Sequence, residues 1–139
     1  MKKMKITVLI CSFWLVSAVL VQAGGYEFYL NLNKVEDDRL QVELKVPPVN
    51  NDIIEYQLPK VVPGTYSISN FGRFISDFKA YDAQGNLLAV EHPDDNRWQI
   101  SNATQLSRIT YWVEDTWDTE IKGHIFEPGG TNIEAGKNF

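Results

Sequence analysis

The sequence predicts an all-β fold, an antiparallel β-sandwich of about seven to eight strands that is preceded by a signal-peptide helix. Short runs in which apolar and polar residues alternate recur roughly every ten residues, which is typical of the strands of a sandwich. Clusters of Gly, Pro, Asn and Asp separate these runs. Helical periodicity is weak after residue 23, so at most one helical turn is expected, near residues 67–73.

The first half of the predicted sandwich begins with a hairpin. Residues 26–32 and 40–46 each alternate apolar and polar side chains, and the polar residues 33–38 between them can turn the chain. Pro47-Pro48 ends the second strand, because proline cannot donate to a strand ladder. A third strand is expected at residues 54–58.

The second half of the predicted sandwich comes after a turn at Pro63-Gly64, where proline sets φ and glycine accepts a positive φ. The remaining strands are expected at residues 74–80, from 88 onwards, at 98–100 and at 109–113. The turn at 82–86 predicts that the first two of these strands form a second hairpin, and residues 92–96 predict a polar break.

Residues 1–23 are typical of an export signal that is removed by cleavage. Lysines begin the chain, an uncharged apolar run spans 6–20, and small residues at 21–23 suit cleavage. The apolar run is shorter than the roughly 20 residues that span a bilayer, so cleavage is favoured over a membrane anchor. The mature protein is therefore expected in the periplasm or the medium. Cys11, the only cysteine, lies in the signal, so no disulfide is expected.

The expected mature chain is one acidic domain with a tail at its carboxyl end. Without the three lysines of residues 1–23, ten of the 13 basic side chains remain against 18 acidic ones, so the net charge is near −8. This charge argues against nucleic acid or an anionic membrane as a partner. Residues 24–115 are expected to form the sandwich. Residues 116–139 lack sustained alternation and are expected to form a linker that begins the junction to a missing domain.

Residues 58–73, LPKVVPGTYSISNFGR, are the most distinctive part of the sequence and are named the motif segment. The segment resembles the Pro-Gly-Ser/Thr-Tyr signature in the N-terminal domain of glycyl-aminopeptidase-type zinc metallopeptidases, which also have a thermolysin-like catalytic domain and often a PDZ domain. Where many relatives have a Trp, this chain has Val61. The resemblance assigns structural motif positions to Pro59, Pro63, Gly64, Tyr66, Phe71, Arg73 and Trp98.

The resemblance implies an enzyme whose catalytic domain is absent from these residues. That domain would remove amino-terminal residues, favouring glycine and alanine, with zinc held by His-Glu-x-x-His and a later glutamate. The two histidines here, His92 and His124, cannot form that motif. Neither catalysis nor a cofactor is therefore expected of this chain alone. Zinc is expected in the missing catalytic domain, which is the expected partner together with a peptide substrate.

The other polar clusters have simpler interpretations. His92 and His124 could meet as metal ligands, but two surface histidines are favoured. The acidic runs at 36–38 and 94–96 contain groups that suit calcium but lack the spacing of a calcium loop, so solvated turns are favoured. The sequence contains neither a phosphate-binding loop nor a nucleophile elbow.

Four aromatic residues have two interpretations: Trp98, Tyr111, Trp112 and Trp117. Exposed rings on a sandwich could stack on sugar rings, whereas packing in the core or at a domain interface is favoured. Because successive side chains of a strand point to opposite faces, one of Tyr111 and Trp112 is expected in the core and the other nearer the surface.

Three residues of the tail are candidates for substrate binding. The resemblance extends into residues 123–139, which in relatives join this domain to the catalytic part, and this stretch contains Glu127, Asn132 and Glu134. A carboxylate at a domain junction could accept a charge-assisted hydrogen bond from the amino group of a substrate. Solvated loop charges are the simpler interpretation.

The leading functional hypothesis is a non-catalytic, exported N-terminal domain that packs on a catalytic domain and shapes its substrate entrance. The sequence stops at Phe139 without a terminating element, which favours a missing module or a truncated sequence. The alternative is a free-standing secreted module that binds glycan or protein through surface aromatic residues. A degenerate remnant without function is a third hypothesis.

Overall fold

The fold is described by a computed structural model for residues 24–61 and 67–116. The residues in these two ranges form seven strands and two short 3-10 helices, at Phe71–Phe74 and Ala103–Gln105. The strands are β1 (Glu27–Glu36), β2 (Arg39–Lys45), β3 (Ile53–Gln57), β4 (Ile75–Asp82), β5 (Val90–Asp94), β6 (Arg97–Ser101) and β7 (Leu106–Glu114). None of the helices in this part of the chain is long and apolar enough to cross a membrane.

Two antiparallel sheets build the sandwich, so the predicted all-β class is confirmed. One sheet has the order β1-β2-β7-β4 and the other has the order β3-β6-β5. The first hairpin, β1–β2, is confirmed, and β2 ends before Pro47 as predicted. The signal peptide expected at residues 1–23 and the linker expected from residue 117 onwards lie outside the described residues.

In the core between the sheets, the main contribution comes from the two central strands of the four-stranded sheet, β2 and β7. Along both strands, inward apolar side chains alternate strictly with outward ones. Inward side chains of β2 and β7 lie opposite each other and are at most 2% exposed, in the pairs Leu40–Val113, Val42–Tyr111 and Leu44–Ile109. Ile100 of β6, in the other sheet, belongs to the same core cluster. Burying each large apolar side chain stabilises the fold by about 1.5–3 kcal/mol, so these strands supply much of the driving force for folding.

An aromatic cluster joins the two sheets. Phe78 of β4 stacks on Trp98 of β6, with ring centroids 4.9 Å apart, and on Tyr111 of β7, at 5.9 Å. The hydroxyls of Tyr56 and Tyr111 form a hydrogen bond of 2.9 Å. Burial raises the pKa of both phenols, because the charged form would lose its hydration. The two hydroxyls therefore remain protonated and satisfy each other in the core.

Strand β4 contains a bulge that the alternating pattern did not predict. The pattern in residues 74–80 placed Ser76 on the same face as Phe78, but the register shifts after Ser76, and Asp77 adopts a φ of 53°. Ser76 therefore lies on the outer face, where its hydroxyl accepts a hydrogen bond from Arg39, while Phe78 packs inward on Tyr111. A bulge inserts one residue and so reverses the alternation beyond it.

The predicted second hairpin forms only next to its turn. Tyr81 bridges Leu87, and the N–H groups of Asp82 and Leu88 donate to the carbonyl oxygens of Asn86 and Ala80. The expected pairing of β4 with β5 is wrong, because these two strands belong to different sheets. The polar break expected at 92–96 is shorter than predicted, because β5 continues to Asp94 and pairs there with Arg97 of β6. The helical turn expected near residues 67–73 is confirmed as the 3-10 helix at Phe71–Phe74.

Replacing Ile109 by Ala is expected to destabilise the domain by about 2–5 kcal/mol, because it leaves a cavity between β7 and the opposite sheet. Ile53→Ala is the matched control, since Ile53 is 53% exposed on β3 and should change stability by about 0.5 kcal/mol or less. Urea unfolding of both variants measures the difference. Equal losses would contradict the assigned core.

Candidate functional site at one end of the sandwich

The motif segment closes a loop at one end of the sandwich. The backbone N–H groups of Ser69 and Asn70 donate to the carbonyl oxygen of Lys60, at 2.8 and 3.2 Å. The N–H of Phe71 donates to the carbonyl oxygen of Pro59 at 3.2 Å. These bonds hold the two ends of the loop together, so the chain leaves the sandwich and returns to it at the same place.

Asn96, in the turn between β5 and β6, attaches this loop to the second sheet. Its carbonyl oxygen accepts the N–H of Leu58 at 2.9 Å, and its side-chain oxygen accepts the N–H of Gly72 at 3.0 Å. Its amide nitrogen donates to the side-chain oxygen of Asn70 at 3.1 Å. Asn96 is only 2% exposed, so these bonds replace the hydration that its amide loses on burial.

Gly72 permits the close approach of the motif segment to this turn. A Cβ atom at position 72 would lie 1.9 Å from the carbonyl oxygen of Asp95, a distance at which the two backbones could not coexist. The neighbouring Phe71 and Phe74 are buried in the core. The described ends of the motif segment are therefore fixed by core packing, by hydrogen bonds and by a contact that requires glycine.

The chain also leaves the sandwich at this end. The last residues of β7 pair with the first residues of β2, as Glu114 with Arg39. The N–H of Asp115 then donates to the carbonyl oxygen of Asp38 at 3.0 Å, and both Asp115 and Thr116 are buried. β4 starts at this end too, because Ile75 pairs with Val113. The chain beyond residue 116 thus begins beside the motif segment, at a place that we call the motif end.

Two large apolar side chains at the motif end face solvent. Val61 is 41% exposed and Ile68 is 76% exposed, and they flank the part of the loop that lies outside the described residues. Arg73 is also exposed, with its guanidinium 4.6 Å from the ring centre of Phe74. The motif end therefore presents apolar side chains and one cation on a firmly held backbone.

Asp94 stabilises the turn that contains Asn96. One carboxylate oxygen accepts the N–H of Asn96 at 3.0 Å, and the other accepts the Arg97 side chain at 2.7 Å. The hydrogen bond from the Asn96 backbone, and after it that from Arg97, lowers the pKa of Asp94 below its ordinary value. Arg97 also pairs with Glu55 at 3.7 Å.

The structure describes two acidic runs that the sequence suggested as solvated turns. Asp37 in the β1–β2 turn is exposed and pairs with Arg39 at 3.3 Å, which agrees with that interpretation. The run at 94–96 is a turn as well, but its Asn96 is buried, so full solvation was the wrong expectation there. In residues 24–61 and 67–116, no cluster of three or more His, Asp or Glu side chains could hold a metal ion.

The described aromatic candidates divide as alternation predicted. Trp98 is 3% exposed and stacks on His92 at 4.5 Å, and Tyr111 is fully buried. Trp112 lies on the opposite face of β7, where Lys34 and Arg39 lie 5.7 and 5.6 Å from the centre of its ring. Core packing of Trp98 and Tyr111 is therefore confirmed.

The remaining candidates divide into described and undescribed positions. Two of the described candidates are buried in the interior, namely Phe71 and Trp98. The other two, Pro59 and Arg73, lie at the motif end. The other candidates lie outside the described residues: Pro63, Gly64, Tyr66, Glu127, Asn132 and Glu134. Sequence reasoning missed Asn96 and Gly72. The available signal was the spacing of Asp94 and Asn96, which is typical of an Asx turn.

Replacing Gly72 by Ala is expected to destabilise the domain by about 1–3 kcal/mol or more, because the new methyl group collides with the Asp95 carbonyl. Gly25→Ala is the control, since a methyl group there meets no atom within 4 Å. Chemical denaturation measures both. A Gly72 variant as stable as the Gly25 variant would disprove the close approach.

The lowered pKa of Asp94 predicts how the stability of the fold depends on pH in the acid range. Its carboxylate stabilises the fold above the unfolded-state pKa of about 3.9, and this stabilisation is lost as the pH falls through the lower pKa of the folded state. Between pH 7 and pH 2, the melting temperature of the unmodified protein should therefore approach that of Asp94→Asn below about pH 4. Asp52→Asn, at an exposed position, controls for the loss of one charge. Parallel curves for Asp94→Asn and the unmodified protein would contradict the assignment.

Comparisons with known proteins identify relatives of this fold. The family model of the peptidase M61 N-terminal domain matches residues 27–137. The crystal structure of an aminopeptidase N family protein from Idiomarina loihiensis is similar with a TM-score of 0.60 and 25% sequence identity. This similarity covers 68% of the present chain but 16% of that protein. No curated protein sequence matches the chain.

The match includes the motif segment, Trp98 and all seven described strands. It agrees with the resemblance to glycyl-aminopeptidase-type metallopeptidases that the motif segment suggested, and an N-terminal domain of a peptidase implies a catalytic domain in the full-length protein. Because the family model matches most of the length of the chain, the chain belongs to the family of peptidase M61 N-terminal domains.

Proposed function

We propose that this chain is the exported, non-catalytic N-terminal domain of a zinc aminopeptidase, and that it packs on the catalytic domain and shapes the substrate entrance. One observation supports this role above the others. The chain leaves β7 at the motif end, where Val61 and Ile68 present exposed apolar side chains. A domain that comes next in the chain thus starts beside the segment that resembles the family signature.

Physical chemistry favours contact between the motif end and the next domain. Two domains in one chain meet at a high effective concentration, so a small apolar contact suffices to hold them together. The loop of the motif segment is held at its neck by three backbone hydrogen bonds and by Asn96. The two ends of the loop, held in this way, would lose little conformational entropy on docking. They are therefore suited to forming part of the wall of a substrate entrance.

In the proposed enzyme, zinc belongs to the catalytic domain, where it would activate the attacking water. The present domain would contribute positioning of the peptide. Glu127, Asn132 and Glu134 lie within the family match, and a carboxylate there would accept a hydrogen bond from the amino group of the substrate. Residues 1–23 would direct the protein to the periplasm or the medium.

The proposal is tested by Ile68→Asp in the full-length protein, assayed on peptides with amino-terminal glycine or alanine. Ile68 is 76% exposed, so the sandwich should keep its stability, while a charge at the entrance should lower kcat/KM about tenfold or more. The control is Leu87→Asp, because Leu87 is 64% exposed but lies just after the turn at the opposite end of β4.

Equal activity of the Ile68 and Leu87 variants would contradict a role of the motif end at the entrance. Absence of zinc-dependent glycine release by the unmodified full-length protein would overturn the enzymatic part of the proposal. Melting temperatures of the two variants, measured alongside, distinguish an effect on the entrance from unfolding.

A further inference from the structure

The exposed apolar side chains of the described residues are concentrated along β1. Four of the eight large hydrophobic residues that are exposed in this part of the chain lie within seven positions, and they are 41–65% exposed. These four are called the β1 strip: Tyr26, Phe28, Tyr29 and Leu32. Tyr26 directly precedes β1. Phe28 lies on the inner side of the sheet, opposite Leu44, whereas Tyr29 lies on the outer face, opposite Glu43, so the strip spans both faces of this edge. A cluster of exposed apolar side chains at one edge is typical of a contact surface.

The β1 strip lies at a sheet edge of which only one half is protected against pairing with another strand. β1 is the outer strand of the four-stranded sheet and pairs regularly with β2 up to Leu30. Beyond Leu30 the register shifts. Irregular pairing is one means by which an edge avoids pairing with other strands. The first half of β1 is regularly paired, so it is suited to accept a partner strand.

The second sheet does not fully cover the inner side of β1. Phe28 lies opposite Leu44 and Leu30 lies opposite Val42, so both face the side of the core. Leu44 is 2% exposed, whereas Phe28 is 41% exposed. The boundary of the buried core therefore runs between β2 and β1. An apolar segment placed along β1 would extend the core by one further layer.

The size of the β1 strip favours a partner in the same chain. With about 150–250 Å² for each aromatic side chain, the four residues expose on the order of 400 Å² in total, divided between the two faces of β1. Separate proteins that form stable complexes bury about 800 Å² on each partner. A second copy would also bring together two chains with a net charge of −5 each. A domain attached through the polypeptide needs less area, because attachment raises its effective concentration.

The path of the chain makes this contact possible. Asp115 is hydrogen-bonded to Asp38 in the turn that ends β1, and Leu32 is six residues from Asp38. At about 3.3 Å per residue, the strip extends from about 20 Å to about 40 Å from the point where the chain leaves the sandwich. We propose that the β1 strip is the docking surface for an apolar segment of the catalytic domain. This inference rests on the proposed function.

Hydrogen–deuterium exchange tests the proposal. Amides of residues 26–32 are expected to exchange at least tenfold more slowly in the full-length protein than in the 139-residue chain. Residues 53–57 provide the control, because β3 is an edge strand of the other sheet and Ile53 is 53% exposed. In the full-length protein, Leu32→Glu should abolish the protection of residues 26–32, whereas Ile53→Glu should preserve it.

Equal exchange of residues 26–32 in both proteins would overturn the proposal. A 139-residue chain that sediments as a dimer, and as a monomer after Leu32→Glu, would overturn it in favour of a second copy. Peptidase activity is a separate readout. Protection of β1 in a full-length protein without zinc-dependent peptidase activity would support the docking surface and overturn the proposed chemistry, whereas activity without protection would do the reverse.

Discussion

The buried residue Asn96 connects the motif segment to the rest of the sandwich. Its backbone carbonyl oxygen accepts the N–H of Leu58, before the loop, and its side-chain amide binds Asn70 and Gly72, after the loop. The returning chain continues through the 3-10 helix into β4, which belongs to the opposite sheet. One residue thus helps to hold the two described ends of the loop relative to both sheets. Because the amide is buried, removing any of its partners would leave a polar group without water.

Local alternation predicted the strands that supply most of the core. β2, β6 and β7 each place successive inward residues in the interior, and this two-residue period is visible in the sequence. The pairing of strands is less local. β4 and β5 are close in sequence, but β4 pairs with β7, and this choice depends on contacts such as that of Phe78 with Tyr111. The bulge at Asp77 also depends on these contacts.

At the candidate site, the sequence predicted the role of those motif residues that lie in the core. Phe71 and Trp98 were assigned structural roles from the family resemblance, and both are buried. Asn96 was not predicted, because an amide in a polar acidic run is usually solvated, and its burial results from the arrival of the motif segment. The exposure of Phe28 was not predicted from the sequence either. Alternation predicts which face of β1 is apolar, but the width of the opposite sheet determines whether that face is covered.

The place of β7 in the sheet has a consequence for the order in which the domain can form. β7 is the last described strand in the sequence, yet it lies between β2 and β4. Its pairing of Glu114 with Arg39 joins residues at nearly opposite ends of the described chain. During synthesis from the amino terminus, β2 and β4 therefore cannot enter a common sheet until β7 has emerged. Until then, the β1–β2 hairpin has no third strand, and an isolated hairpin is at best marginally stable in water. The domain thus stays open until nearly all of it has been made.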